Sequence, residues 1–248
     1  MRFVGAMRSH VGHIRDSNED CAAWVACVAS GAGGALLIVA DGMGGHAAGE
    51  VASQLAVETV LAEYSASEAP AGQALARALE AANQRIYRDA QSNPSRRGMG
   101  TTCTAAVLLE AGVVVAHVGD SRLYRIRGGG EIERLTEDDS LVAELVRAGR
   151  VAPEAARSHP SRNVLLRSLG TEEEITVGGF REPLPVSEDD CFLVSSDGLH
   201  DLVSDDEIAD AVCGQDLEIA CALLIDLALV RGGHDNITVA LARAEPGE

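Results

Sequence analysis

Short apolar runs, divided by glycine and acidic residues, predict the strands of this chain. A continuous apolar run such as 35–40 is typical of a strand that is buried on both faces. The connections after 109 and 127 are short and glycine-rich, and connections of that length join antiparallel neighbours. The predicted strands are 21–28, 35–40, 101–109, 113–118, 123–127, 191–195 and 237–242.

Helical periodicity follows in separate blocks of the chain. In 73–90, apolar residues three or four positions apart form a stripe of Leu75, Leu79, Ala82 and Ile86. The predicted helices are 46–64, 73–90, 205–213 and 216–230, and 136–170 has a more polar helical pattern. Because strands and helices come in blocks instead of alternating, we predict an α+β fold with mainly antiparallel sheets. No linker or repeat divides the chain, so we expect a single domain over 1–248.

Composition and charge exclude several classes of protein. Of 248 residues, 46% are apolar and 23% charged, which is typical of a soluble globular protein with its own core. All 20 basic residues are arginine, which excludes pyridoxal Schiff bases and P-loops because both need lysine. The formal net charge of −18 argues against nucleic acid and anionic membranes as partners. With no membrane-length apolar run and no signal-peptide core, we expect a cytoplasmic protein.

The cysteines and one histidine are interpreted as structural. The six cysteines include no C-x-x-C pair and most lie in apolar runs, so we expect reduced thiols instead of zinc ligands or disulfides. His117 lies inside an apolar strand, which favours a hydrogen-bonded core residue over a ligand.

Four aspartates lie where predicted strands end or begin. Asp41, Asp120 and Asp197 follow apolar runs, and Asp235 precedes the last one. If these strands are neighbours, the carboxylates converge and repel one another unless a cation lies between them. Oxygen ligands favour Mg²⁺ or Mn²⁺ over zinc, and the Gly42 carbonyl is accessible enough to contribute. Two such ions would suit phosphate-ester hydrolysis, in which a shared, deprotonated water attacks phosphorus in line.

A segment near the N-terminus adds an arginine and more acids. The guanidinium of Arg15 matches phosphate oxygens, and Glu19 and Asp20 could extend the metal shell directly or through water. Read alone, this segment favours an exposed charged loop. Beside the strand-end aspartates, it favours a phosphate and metal site.

A competing motif, G-x-G-x-x-A at 42–47, follows a strand and precedes a helix, with Glu63 near the place of a ribose-binding acid. Two observations argue against a dinucleotide fold. Asp41 would direct negative charge at the pyrophosphate, and the helix 46–64 is followed by a second helix instead of a parallel strand.

Taken together, the motifs resemble the metal-dependent type 2C class of serine/threonine protein phosphatases, in its compact bacterial form. Seven blocks in one order, over nearly the whole chain, are far more specific than any single Asp-Gly. The blocks are Arg15-x-x-Asn18-Glu19-Asp20, Val39-Ala-Asp41-Gly-Met-Gly-Gly-His46, Gly98-Met-Gly-Thr-Thr102, Val118-Gly-Asp120-Ser-Arg122, 163–170, Ser196-Asp197-Gly-Leu-His-Asp201 and His234-Asp235-Asn236. The resemblance implies a four-layer αββα sandwich, in which helix pairs flank two mainly antiparallel sheets.

The resemblance also implies two Mg²⁺ or Mn²⁺ ions and a third, weaker metal site. The implied ligands of the two ions are Asp41 as the bridge, the Gly42 carbonyl, Asp197 and Asp235, with direct or water-mediated contacts from Glu19 and Asp20. Asp120 and Asp201 match acids of the third site.

Three further roles follow from the same resemblance. Arg15 would hold the phosphate, and His46 would act as general acid for the leaving group. His46 stands four positions beyond the glycine of Asp-Gly, whereas animal-type members have histidine directly after it, so capping the helix or binding a metal-bound water is an alternative role. The stretch 136–170 matches a variable flap, in which Asp139 stands where relatives often have histidine.

We therefore expect a protein serine/threonine phosphatase that acts as a monomer on phosphorylated proteins and opposes a serine/threonine kinase. Two alternatives stay open: a small-molecule phosphomonoesterase that uses the same site, and a non-catalytic regulatory module of the same fold. The presence of all the core acids argues against the second alternative.

Overall fold

Two antiparallel sheets carry the fold in the computed structural model, which describes residues 1–26, 34–44 and 47–247. The strands are β1 (Arg2–His10), β2 (Asp20–Ala26), β3 (Ala35–Met43), β4 (Gly100–Thr101), β5 (Cys103–Leu109), β6 (Gly112–Val118), β7 (Arg122–Ile126), β8 (Ile132–Arg134), β9 (Gly178–Leu184), β10 (Cys191–Ser195) and β11 (Ile237–Glu245). The helices are α1 (Ala47–Ala66), α2 (Ala71–Ser92), α3 (Leu141–Arg147), α4 (Asp197–His200), α5 (Asp205–Val212) and α6 (Leu217–Val230). One sheet has the strand order β1-β11-β10-β7-β8, and the other has β2-β3-β5-β6-β9, with β4 paired to β3.

The side chains of β3 show how the layers stack. Leu36 and Ile38 pack into a cluster with α1 and α2, while Leu37 and Val39 pack against residues of the other sheet such as Phe192. All five side chains are fully buried. Because successive side chains of a strand point to opposite faces, a strand between helices and a second sheet must be apolar throughout. The prediction that 35–40 is buried on both faces is confirmed.

The second sheet is covered on its outer face by α5 and α6. Ile208 of α5 and Leu224 of α6 are buried in one cluster with Leu193 of β10 and Leu241 of β11. The order of layers is therefore helices, sheet, sheet, helices. The predicted α+β, four-layer αββα sandwich is confirmed.

The sequence patterns missed β1, β8 and β9, and all three are edge strands. Their residues are largely half-buried or exposed. A strand that pairs on one side and is partly open to solvent needs no continuous apolar run. Its apolar pattern is therefore weaker than that of a central strand and harder to recognise in the sequence.

The helical prediction for 136–170 is wrong over most of its length. This fully described stretch contains the seven-residue helix α3 and a short 3₁₀ segment, Pro153–Ser158, within irregular backbone. Gly149 ends the helical region with a positive φ of +68°, and Pro153 removes a backbone donor. The assignment of 136–170 as a flap stays a prediction.

Other boundaries differ by a few residues. The predicted strand 101–109 is interrupted at Thr102, whose polar groups bond to the strand-end backbone of β3. Residues 27 and 28 of the predicted strand 21–28 lie outside the described residues, as does residue 46 at the start of the first helix.

The interpretation of His117 as a core residue is confirmed. Its ring is buried, with Nδ1 bonded to the Thr104 hydroxyl at 2.7 Å and Nε2 to the Glu137 carbonyl at 3.0 Å. The five cysteines in the described ranges are all free thiols, and Cys27 lies outside those ranges. None of the helices in the described ranges combines the length and apolarity that crossing a bilayer requires.

Candidate metal centre and active site

Strand ends from both sheets meet at one end of the sandwich. Asp41 at the end of β3 lies opposite Asp20 of β2 in the register of the sheet. Asp197 follows β10 and Asp235 precedes β11, and these antiparallel neighbours place both residues at the same edge. A cavity of about 770 Å³ lies there. Its lining includes Arg15, Glu19, Asp41, Gly42, Asp120, Asp197 and Asp235.

Two predicted site residues lie outside the lining of this cavity, and a third is not among the described residues. Asp20 is not part of the cavity lining, and its Oδ2 accepts a hydrogen bond from the Ser196 hydroxyl at 2.8 Å. Asp201 lines an adjoining cavity of about 460 Å³. His46 lies outside the described residues.

Two threonines that the sequence analysis left without a role hold the backbone of Asp41. The Asp41 N–H donates to Thr102 Oγ1 at 2.9 Å, and the Asp41 carbonyl accepts from Thr102 N and Thr101 Oγ1, each at 2.9 Å. The Thr102 hydroxyl also bonds to that of Ser121, next to Asp120, at 2.6 Å. The signal for both threonines was the block that ends at Thr102.

Glycines at this site allow very close packing. A Cβ on Gly42 would lie 2.1 Å from the Gly49 carbonyl oxygen and 2.5 Å from that of Glu19. A Cβ on Gly49, in the first turn of α1, would lie 2.4 Å from Glu19 Oε2. Any larger residue at either position would push the Glu19 segment away from the end of β3.

Asn236 anchors the N-terminal segment to the start of β11. Its Oδ1 accepts from the Glu19 N–H at 2.8 Å, and its Nδ2 donates to the carbonyls of Val11 and Ser17 at 2.9 and 3.0 Å. The Asn236 N–H donates to Asp235 Oδ1 at 2.8 Å. One amide therefore places Glu19 beside Asp235, which a block such as His-Asp-Asn suggested only as a local arrangement.

Burial and mutual repulsion raise the pKa of the clustered acids. Burial raises the pKa of Asp20 to about 6 and that of Asp120 to about 7. The pKa of Asp41 is raised well above its usual range, first by burial and then by the charges of the surrounding aspartates. The pKa of Asp197 is also raised well above its usual range, first by burial and then by neighbouring aspartates. These shifts mean that the ionised cluster is costly without a compensating cation.

The donor set fits hard divalent cations. Asp20 Oδ1 and Asp197 Oδ1 are buried without a hydrogen-bond partner, and only one other buried side-chain atom in the described part of the chain, Arg125 Nε, is in that state. All the side-chain atoms of the cluster that could bind a metal ion are carboxylate oxygens, which suit Mg²⁺ or Mn²⁺.

The carboxylates are not gathered into a closed cage. Among the described residues, no group of three or more His, Cys, Asp or Glu side chains already stands ready to hold a metal ion. Two of the acids are engaged otherwise, because Asp235 pairs with Arg15 and Asp20 accepts from Ser196. Mutual repulsion also keeps ionised carboxylates apart until a cation offsets it.

Arg15 forms an ion pair at the edge of the cavity. Its Nη2 lies 2.7 Å from Asp235 Oδ2, and about half of the Arg15 side chain is exposed at the cavity. This partner is 220 residues away in the chain, so the sequence alone did not indicate it. The single bond to Asp235 orients the guanidinium and leaves its other N–H groups available.

Asp139 braces the backbone beside Asp120. Its buried carboxylate accepts from the Gly119 N–H at 3.1 Å and pairs with Arg167. The Asp139 backbone also bonds to Gly119 and to Leu166. The departure from histidine at this position therefore comes with an ion pair that ties both ends of 136–170 to the strand end.

Comparison with known proteins agrees with this arrangement. A family model described as "Protein phosphatase 2C" matches residues 9–217. The serine/threonine protein phosphatase PstP of Mycobacterium tuberculosis is 43% identical over 241 residues, which cover 96% of this chain and 44% of PstP. The chain thus spans less than half the length of that relative. The protein phosphatase PhpP of Streptococcus pneumoniae is 37% identical over 242 residues, which cover 95% of each protein.

A solved structure extends the likeness to three dimensions. The catalytic domain of PstP in complex with two manganese ions superposes with a TM-score of 0.82 at 38% identity, covering 98% of this chain and 99% of that one. The family model covers the strand ends that carry Asp41, Asp120 and Asp197, and it ends before Asp235. The chain belongs to the protein phosphatase 2C family.

Proposed function

We propose that this protein is a metal-dependent protein serine/threonine phosphatase. The observation that carries the proposal is the convergence of half-buried carboxylates from both sheets on one cavity, with Arg15 at its edge. The names of PstP and PhpP support the substrate class, and the two manganese ions of the PstP structure support the cofactor. The substrates are proteins phosphorylated on serine or threonine, and the reaction opposes a cellular kinase.

The proposed ligands of two ions, Mg²⁺ or Mn²⁺, are Asp41, the Gly42 carbonyl, Asp197, Asp235 and Glu19. Asp20 supports the site without binding an ion directly, because it lies outside the cavity lining and its carboxylate is bonded to Ser196. Asp120 and Asp201 form a third, weaker site, since Asp201 opens to the adjoining cavity. When bound, the ions supply Lewis acidity and a water of lowered pKa.

The chain's own residues bind and orient the substrate. Arg15 binds the phosphoryl oxygens through the N–H groups that Asp235 does not use. Thr101 and Thr102 fix the Asp41 backbone, so the carboxylate that would hold the ions extends from a fixed position. His46 protonates the leaving alkoxide in this proposal, on the ground of the sequence resemblance. The protein acts as a cytoplasmic monomer.

Substrate comparison tests the proposal. With Mn²⁺ present, we expect hydrolysis of p-nitrophenyl phosphate and a higher kcat/KM on phosphothreonine and phosphoserine peptides than on phosphorylated metabolites. A preference for metabolites would favour the small-molecule phosphomonoesterase. No hydrolysis of any of these esters would favour a binding module.

Replacement of Asp197 is expected to stabilise the metal-free protein at pH 8. The raised folded pKa of Asp197 means that the folded state holds its proton where the unfolded state, with a pKa of about 4, has lost it. The stability that the group contributes is therefore lost as pH rises, and Asp197→Asn avoids that loss. In EDTA we expect the variant to melt several degrees above wild type at pH 8, with a smaller difference at pH 5.

Manganese is expected to reverse this order. At a concentration a hundred times its Kd, a ligand adds about 2.7 kcal/mol to the stability of the state that binds it. Wild type should gain that increment and Asp197→Asn should gain less, because it lacks a ligand. The exposed Asp226→Asn serves as control and should melt like wild type. Equal melting of wild type and Asp197→Asn in EDTA at pH 8 would contradict the raised pKa.

Loss of Arg15 is expected to weaken substrate binding without unfolding the protein. A charge-assisted hydrogen bond contributes about 1.5–3 kcal/mol, so Arg15→Ala should lower kcat/KM on a phosphothreonine peptide about ten- to a hundredfold. Inhibition by free phosphate should weaken in parallel. The Arg15–Asp235 pair is half-exposed, and such pairs contribute under about 1 kcal/mol to folding, so the melting temperature should barely change.

The matched control is Arg2→Ala. Arg2 pairs with Glu245 at the same distance of 2.7 Å and with similar exposure, on the first strand and away from the cavity. Its loss should leave kcat/KM and phosphate inhibition unchanged. If both variants behave alike, Arg15 is a surface ion pair and not a phosphate ligand.

A further inference from the structure

A second cavity adjoins the candidate active site. Its volume is about 460 Å³, and it shares Asp120, Asn163 and Asp197 with the larger cavity. Its remaining walls come from β7 and β8, α3, the 3₁₀ segment Pro153–Ser158 and α4 with the residues after it. Apart from the residues of the metal centre, none of this lining has a role in the chemistry proposed above.

The lining of this cavity is unusually rich in arginine. The five arginines are Arg122, Arg134, Arg147, Arg157 and Arg162. They are a quarter of the 20 basic residues of a protein whose formal net charge is −18. Six acidic side chains of the same lining offset this positive charge, so an anion can bind only at an arginine that no carboxylate neutralises. The six are Asp120, Glu137, Asp138, Asp197, Asp201 and Asp205.

Four of these arginines have carboxylate partners. Arg122 and Arg134 pair with Asp138, Arg147 pairs with Glu144, and Arg162 lies 3.6 Å from Asp201.

Arg157 differs from the other four. Its side chain is exposed and forms no hydrogen bond or ion pair with any residue of the described ranges. Its charge acts on Asp201 only from a greater distance. Its planar fork of donors is therefore free to bind a carboxylate or a phosphoryl group through two parallel bonds.

Aliphatic side chains line the same cavity as Arg157. Val142 and Val146 of α3, with Pro153 and Ala156, complete the lining on this side. Such a wall suits the methylene groups of a bound side chain. A free arginine above an apolar wall has the composition of a binding site for an anionic side chain.

The residues shared by the two cavities relate this site to the reaction. Asn163 lines both, and its side-chain amide can donate to and accept from an extended peptide backbone. A peptide whose phosphate lies in the larger cavity can therefore pass Asn163 and place a neighbouring side chain in the smaller one.

We propose that the smaller cavity is an accessory anion subsite, in which Arg157 binds a second anionic side chain of the phosphoprotein substrate. This inference rests on the function proposed above and narrows its substrates. The preferred substrates carry an acidic or a second phosphorylated residue close to the phosphate that is removed. The net charge of −18, taken alone, would favour the opposite preference, for basic substrates.

Three phosphothreonine peptides of equal length test the subsite. One carries glutamate near the phosphothreonine, one carries phosphoserine in the same place, and one carries alanine there, with the position scanned on both sides. For wild type in Mn²⁺ and low salt, we expect kcat/KM on the better anionic peptide to exceed that on the alanine peptide about tenfold at the favoured position. The glutamate and phosphoserine arms show whether the subsite takes a carboxylate, a phosphoryl group or both.

Variants of two arginines assign the effect to the subsite. Arg157→Ala should reduce the ratio of anionic to alanine peptide to about one, and Arg157→Lys should keep part of it, since an ammonium makes no paired bonds. Arg150→Ala is the matched control, because Arg150 is an exposed arginine near α3 that lines neither cavity. It should keep the wild-type ratio.

The outcomes separate this inference from the proposed function. A wild-type ratio of one at every position, or a ratio that Arg157→Ala leaves unchanged, overturns the subsite while the phosphatase assignment stands. If wild type hydrolyses neither the peptides nor p-nitrophenyl phosphate, the proposed function is wrong and the subsite is overturned with it.

Discussion

Removal of divalent cations with EDTA is expected to abolish hydrolysis of p-nitrophenyl phosphate and of phosphothreonine peptides, and added Mn²⁺ or Mg²⁺ is expected to restore it. The reason is the charge of the cavity. Its described lining has seven acidic side chains, which are Asp16, Glu19, Asp41, Glu50, Asp120, Asp197 and Asp235, against the single cation Arg15. A phosphate dianion is repelled from such a cavity unless bound cations reverse the local field.

The fold is expected to survive the same treatment. The core consists of three apolar clusters, between the sheets and beneath each helix layer, and none of them needs a metal to pack. Far-ultraviolet circular dichroism in EDTA should therefore match that of the metal-loaded protein. Equal phosphatase rates with and without excess EDTA would contradict the proposed metal dependence. Loss of the dichroism signal would instead show that the metal holds the fold.

Asp41→Asn is expected to lower turnover at least about a hundredfold, which corresponds to about 2.7 kcal/mol of transition-state stabilisation. Asp41 is the acid on which the cluster centres, because Asp20, Asp120, Asp197 and Asp235 all raise its pKa after burial does. A neutral amide of the same shape keeps the packing and removes the charge that would hold two cations together. The backbone bonds from Thr101 and Thr102 do not involve the side chain, so the position of residue 41 should be retained.

The measurement compares kcat in saturating Mn²⁺ with a calorimetric titration of the metal. Asp41→Asn should lose both turnover and the tightest metal binding, and its metal-free melting temperature should not fall. The control Asp226→Asn changes an exposed aspartate of α6 and should match wild type in every measurement. Near-normal turnover in Asp41→Asn would mean that Asp41 does not bridge two ions.

The central strands and the acids at their ends were accessible from the sequence. The run 35–40 is apolar at every position, and this is the pattern of a strand between helices and a second sheet. Because antiparallel neighbours alternate in direction, acids at the end of one strand and at the start of the next fall on the same edge, as Asp197 and Asp235 do. Apolar patterning and turn chemistry are local signals, and here they were sufficient.

Three of the four edge strands and the stretch 136–170 were not accessible in this way. β1, β8 and β9 expose much of their surface, so their side chains are under weak compositional constraint. The polar pattern of 136–170 resembles a helix over a few turns, but Gly149 and Pro153 break it. Its position beside the cavity follows from contacts such as that of Asp139 with Gly119.

By itself, the sequence of this protein determined the sandwich, the convergence of its aspartates and the kind of ion that they suit. Only the tertiary structure decided which partner each group has: Arg15 pairs with Asp235, Asn236 holds the N-terminal segment, and Arg157 has no partner among the described residues. The reason is physical. Periodicity records whether a residue is buried, whereas the contact between Arg15 and Asp235, 220 positions apart, depends on the pairing of β1 with β11, which no local pattern encodes.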